Sequence, residues 1–134
     1  MIGLDANVVV RYLTQDDARQ AALANSLVEN ELSAESPGFI SSVALVEIVW
    51  VLEGAYECTR EHVAAVLDQL LRTREFLVEE AEAVRRAVRM FTNGKADFAD
   101  CLIERAGNSI GFDFTITFDR LAARDAGMRL LDHA

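Results

Sequence analysis

The sequence predicts an α/β fold: a short, mostly parallel sheet flanked by helices on both faces, three layers formed as one domain over residues 1–134. Two observations carry this. Short apolar runs alternate with longer stretches of helical periodicity, the pattern of a parallel α/β sheet. Asp5 and Asp119 each directly follow a predicted strand, and ligands of such sheets bind beyond the carboxyl ends of the strands.

The elements follow in order. Ile2–Leu4 is a short strand, and Asp5 opens a helix through Val8, Val9, Val10, Tyr12 and Leu13. Asp16 starts a second helix, with Ala18, Ala21, Ala22, Leu23, Leu27 and Val28 spaced for one face. Ser36-Pro37-Gly38 breaks it. Phe39-Ile40 is a strand, and Ser41 or Ser42 caps a helix to about Leu52. Helix from Glu61 to about Arg72, strand over Glu75–Val78 and helix over Ala81–Phe91 come next, stopped by Asn93-Gly94. Asp97 begins a helix through Ile110. Phe112, Phe114, Ile116 and Phe118 alternate with Asp113, Thr115 and Thr117, which is strand periodicity. A short helix, Arg120–Ala126, and a last strand, Met128–Leu131, complete the chain.

Composition narrows the function. Hydrophobic residues make up 51%, enough for a sizeable core. The longest nearly apolar run, Val43–Leu52, is too short to span a bilayer and contains Glu47. The start, MIGLDANVVV, lacks the basic region of a secretory signal. Cys58 and Cys101 fit neither a zinc pattern nor a disulfide framework, so the expected setting is a reducing cytoplasm with packed thiols. The net charge of −9 argues against binding nucleic acid by bulk charge. Setting aside Asp5, Glu47, Asp97, Asp100 and Asp119 leaves 17 acids against 13 basic residues, a balance of −4. Arg85, Arg86, Arg89 and Lys95 occupy a stretch, Ala83–Ala96, without a single acid. They are candidates for phosphate contacts, with a solvated helix face as the alternative.

Each acid has a structural alternative. Asp5, Asp97 and Asp119 all stand where a helix N-cap would, accepting a backbone N–H from the first turn. Asp100, three residues after Asp97, could complete a capping-box-like arrangement. Glu47 lies between Val43-Ala44-Leu45-Val46 and Ile48-Val49-Trp50-Val51-Leu52. A helix apolar all round is expected to be buried, where a carboxylate needs a partner: an internal salt bridge or a metal. Asp97, Asp100 and Glu104 form one helical stripe, with Glu104 a turn further on and expected in solvent. Four acids near one rim without basic partners favour a hard cation, Mg²⁺ or Mn²⁺. Zinc is disfavoured, since only His62 and His133 are available.

Other acidic α/β sites fit poorly. The only lysine, Lys95, is misplaced for a receiver domain. Asp5-Ala6-Asn7 replaces the Asp-x-Asp of an aspartate-nucleophile phosphatase. No phosphate loop or nucleophile triad is present.

Four segments, GLDANVVVRYLTQDD, SSVALVEIVWVL, ADFADCLIERAGNSIG and TFDRLAARDAG, together resemble the PIN domain, specifically the VapC-type toxins of bacterial toxin–antitoxin pairs. The resemblance spans nearly the whole chain and implies a metal-dependent endoribonuclease that leaves 5′-phosphate and 3′-hydroxyl ends. It implies Asp5, Glu47, Asp100 and Asp119 as the catalytic, metal-binding acids, with Asp97 as an accessory acid and Asn7 and Thr117 as adjoining polar positions. Ala6 departs from the Thr or Ser frequent in the family, which removes a hydroxyl but no carboxylate. Further implications are a homodimer and a cognate antitoxin that covers the site, consistent with the apolar runs Val8–Val10 and Ile48–Leu52, which core packing explains equally. The RNA substrate is expected to be cut where bases are unpaired. The alternative is a catalytically silent PIN-fold interaction module.

Overall fold

Parallel pairing of very short strands organises the chain, as the α/β expectation requires. The computed structural model describes residues 1–131; His133 lies outside the described residues, with Asp132 and Ala134. The chain divides into two compact units, Met1–Glu79 and Glu80–Ala134.

In the first unit, β1 (Ile2–Gly3), β2 (Gly38–Ile40) and β3 (Phe76–Val78) pair in parallel in that order. Gly38 opens β2 where a Cβ would stand 2.6 Å from Leu4 Cδ1, so a larger residue there would displace the Leu4 side chain. Four helices connect the strands: α1 (Ala6–Thr14), α2 (Ala18–Ser26), α3 (Ser42–Gly54) and α4 (Arg60–Arg72). Helix α2 continues as one wider turn, Leu27–Glu31, before the chain reaches β2. Side-chain caps fix three starts: Asp17 accepts from Gln20 N–H, Ser41 from Ala44 N–H and Thr59 from His62 N–H. The core is Val9, Val10, Ile40, Leu45, Ile48, Val49, Val63, Leu67 and Leu70, each at most 2% exposed.

Two expectations change here. Helix α2 starts after Asp17 rather than Asp16, because Asp16 instead binds the Tyr56 hydroxyl at 2.5 Å and the Thr14 hydroxyl at 2.8 Å. Its buried face is Ala21, Ala24 and Val28, while Leu23 is exposed.

The second unit contains α5 (Ala81–Asn93), α6 (Phe98–Ser109), β4 (Ile116–Thr117), α7 (Arg120–Asp125) and β5 (Arg129–Leu130), with β4 parallel to β5. Helices α5 and α6 lock through Phe91 and Phe98, both fully buried, whose rings meet edge to face at 5.9 Å. The strand predicted over 112–118 shrinks to two residues. Phe112, Phe114, Ile116 and Phe118 all remain exposed. The period of two is present, but only Ile116 and Thr117 find ladder partners, Arg129 and Leu130, and Phe114 instead lies beneath the Arg129 guanidinium at 3.7 Å.

Cys58 and Cys101 form no disulfide, and Cys101 is buried. Among the described residues no helix is long and apolar enough to cross a membrane.

Candidate active site

In the first unit, the Leu4 N–H still bonds Phe39 O at 2.8 Å, and the chain then turns into α1 at Asp5. Asp5 occupies the N-cap with extended backbone (φ −74°, ψ 153°), yet its side chain makes no cap hydrogen bond. The carboxylate is exposed. The capping alternative therefore holds for the backbone of Asp5 but not for its acid group. Asn7, also exposed, lines a groove of about 280 Å³ together with Val8, Arg11, Leu23 and Leu27.

Glu47 corrects its expectation: it is exposed, not buried. Helix α3 buries Ala44, Leu45, Ile48, Val49 and Leu52, and leaves Val43 and Trp50 71% and 56% exposed. Glu47 lies on that open stripe, four residues from Val43 and three from Trp50. Apolar composition all round did not mean burial all round, because only one side of α3 is covered. The start of the helix is held from outside as well. Glu79, at the end of β3, accepts the Ser42 N–H on Oε1 at 2.8 Å, a carboxylate at the positive end of a helix.

In the second unit, one stripe of α6 descends from solvent into the interior: Asp97 is exposed, Asp100 half-buried and Glu104 only 6% exposed. Glu104 was expected in solvent. It is the one buried charged side chain among the described residues, beside buried Cys101 and Leu102, and it accepts from Arg105 Nε at 2.5 Å. Asp97 stands at the N-cap of α6 without a side-chain cap bond, so the expected capping box does not form. Asp119 does cap: its Oδ1 accepts from Leu121 N–H at 2.8 Å and Ala122 N–H at 3.2 Å. Its own N–H donates to Thr117 Oγ1 at 3.0 Å, so Thr117 shapes the turn that aims Asp119.

These acids act on one another. Burial, then the charge of Asp97, then that of Asp119, raise the pKa of Asp100 above the ordinary aspartate value. Among the described residues, none of Asp5, Glu47, Asp97, Asp100 or Asp119 enters an ion pair. Nor do any three His, Cys, Asp or Glu side chains among them gather closely enough to hold a metal ion. Coulombic influence reaches further than ligation, so the Asp97–Asp100–Asp119 coupling is one of field rather than contact.

Of the basic candidates, Arg85 is paired with Glu82 at 2.6 Å, while Arg86, Arg89 and Lys95 are exposed. One residue escaped the sequence reading. Asp125, at the end of α7, accepts the Lys95 N–H at 2.8 Å across 30 residues of chain. No local pattern signals such a bond.

The PIN domain profile matches residues 2–126. The chain belongs to the PIN-domain family. A VapC ribonuclease of Aquifex aeolicus (strain VF5) is 24% identical over 117 residues, covering 87% of this chain and 86% of that protein. The α/β PIN fold and the resemblance to VapC-type proteins thus both hold.

Proposed function

We propose that this PIN domain is a metal-dependent endoribonuclease, the toxin of a toxin–antitoxin pair, acting in the cytoplasm. The observation that carries the reading is a set of carboxylates left without basic partners: Asp5 uncapped, Asp97 uncapped, and Asp100 half-buried in the field of two further acids. Asp5, Glu47, Asp100 and Asp119 would hold Mg²⁺ or Mn²⁺, with Asp97 as accessory. Carboxylate oxygens are the donors such hard cations take. The bound ion supplies a more acidic water and neutralises charge developing on the phosphate.

The residues divide the remaining work. Asp119 offers Oδ2, because its Oδ1 is committed to Leu121 and Ala122, and that commitment fixes its direction. Burial and the neighbouring charges of Asp97 and Asp119 raise the pKa of Asp100, and a bound cation would favour its carboxylate form. Glu47, exposed on α3, reaches outward from a helix start fixed by Ser41 and Glu79. Arg86, Arg89 and Lys95, with Arg85 when it leaves Glu82, neutralise phosphates of the bound strand. In the net reaction a water oxygen bonds to phosphorus and the bond from phosphorus to the 3′ oxygen breaks. The products are a 5′-phosphate and a 3′-hydroxyl.

A homodimer and a cognate antitoxin complete the proposal. Light scattering at micromolar concentration tests the first, and loss of cleavage on adding the protein encoded beside this gene tests the second. The direct test of function is cleavage of single-stranded RNA by purified protein with Mg²⁺ or Mn²⁺. EDTA is expected to stop it, and cleavage undiminished by EDTA would overturn the metal assignment.

A further inference from the structure

Helix α7 runs between two acids with different attachments. Asp119 stands at its head and Asp125 at its last position. Six residues of helix span roughly 9 Å. Both oxygens of Asp125 are engaged: Oδ2 accepts the Lys95 N–H at 2.8 Å and Arg124 Nη2 at 3.3 Å, and Oδ1 accepts Arg124 Nε at 3.0 Å. The side chain is 16% exposed, against 67% for Arg124. Lys95 lies two residues before the N-cap Asp97 and five before Asp100. The joint is tight. A Cβ on Gly94 would stand 3.0 Å from Asp125 Cβ, so a larger residue there would push the loop and α7 apart by a few tenths of an ångström. Ala96 and Ala126, on either side of the joint, are at most 1% exposed.

We infer that Asp125 is a positioning residue of the acidic site: through the Lys95 N–H it fixes the loop that launches Asp97 and Asp100 against the helix that begins at Asp119. This rests on the proposed nuclease reading. Asp125 touches neither metal nor RNA in this account. Its bond sets how far Asp119 stands from the stripe on α6, and in the proposed nuclease that spacing would govern how Asp100 and Asp119 meet a cation. Groups that orient metal-binding side chains typically change affinity or activity by about 10- to 100-fold when removed.

The test uses the whole chain with three substitutions, Asp125→Ala, Asp125→Asn and Gly94→Ala, each checked by circular dichroism to be folded at the assay temperature. Mn²⁺ affinity is measured by calorimetry on metal alone, and kcat and KM on a single-stranded RNA oligonucleotide. Amide exchange at Lys95 reports the joint itself. Asp125→Ala is expected to weaken Mn²⁺ binding and lower kcat, each by about 10-fold, with KM for RNA within about twofold and faster Lys95 exchange. Asp125→Asn, whose amide oxygen still accepts the Lys95 N–H, restores most of both. Gly94→Ala moves in the direction of Asp125→Ala, and the double variant Gly94→Ala/Asp125→Ala is less than additive, since both act on one joint.

Parental Mn²⁺ affinity and kcat in folded Asp125→Ala would overturn the inference, as would Asp125→Asn as impaired as Asp125→Ala. If Asp125→Ala does not fold, folded Gly94→Ala decides, and its parental behaviour overturns the inference. A parent that neither binds Mn²⁺ nor cuts RNA overturns the nuclease reading instead.

Discussion

Asp100, half-buried in the first turn of α6, lies within the field of Asp119 at the head of α7. Burial first, then Asp97 and Asp119, raise its pKa. The folded protein therefore holds a proton on Asp100 more tightly than the unfolded chain does. Stability from this group is fully present below the unfolded value, about 3.9, and is lost as pH rises through the raised folded value. Over that interval the metal-free parent is expected to lose melting temperature relative to Asp100→Asn, whatever the other carboxylates contribute to both. At neutral pH in EDTA, Asp100→Asn should melt above the parent. A variant less stable than the parent under those conditions would show that the carboxylate is held by a favourable partner instead.

Exposure of Glu47 separates its chemistry from its stability. A buried acid would have made Glu47→Gln raise the melting temperature in EDTA, through relief of a desolvated charge. On an open helix stripe that relief is absent. Glu47→Gln should change the unfolding free energy by less than about 0.5 kcal/mol in urea titrations with EDTA. Saturating Mn²⁺ should stabilise the parent by mass action and the variant much less. Equal stabilisation of both by Mn²⁺ removes Glu47 from the metal site.

Asp119 has two tasks, and two substitutions divide them. Asp119→Ala loses the cap bonds to Leu121 and Ala122 and should cost about 1 kcal/mol. Asp119→Asn keeps a capping oxygen and should retain stability while losing cleavage. Asp5→Ala, which has no cap bond to lose, should resemble Asp119→Asn: stable and inactive. If Asp119→Asn cleaves RNA like the parent, the residue is a cap alone.

Glu104 is the acid whose removal should damage the fold. It is 6% exposed and paired with Arg105. Glu104→Ala leaves a partly buried guanidinium without its partner and is expected to cost about 2–3 kcal/mol. Thermal melts in EDTA check this. A change within about 0.5 kcal/mol would show that Arg105 finds another acceptor or turns to solvent.

How far the sequence could be read follows from what its patterns encode. Strand and helix alternation fixes an α/β parallel fold, and Ala21 and Val28, two of the positions spaced for one face of the second helix, are buried. The N-cap positions of Asp5, Asp97 and Asp119 were also readable, because capping is local. Whether each carboxylate makes its cap bond was not, and only Asp119 does. Glu47 and Glu104 exchanged places for one reason. Burial depends on which helix face a neighbouring element covers, and composition along the helix carries no record of it. The 112–118 alternation over-predicted β4 because a strand needs ladder partners, supplied here only by Arg129 and Leu130. Asp125 left no trace in the sequence, since its bond to Lys95 joins points 30 residues apart.

The central claim is that Asp5, Glu47, Asp100 and Asp119 serve one metal-dependent cleavage of RNA. The most direct measurement is the rate at which the parent and the variants Asp5→Ala, Glu47→Ala, Asp100→Ala and Asp119→Asn cut a single-stranded RNA in Mn²⁺, each normalised to its folded fraction. Each variant is expected to fall by about 100-fold or more, the upper end of what merely orienting residues cause, with Asp97→Ala falling less. Parental rates in two or more of the four would contradict the assignment.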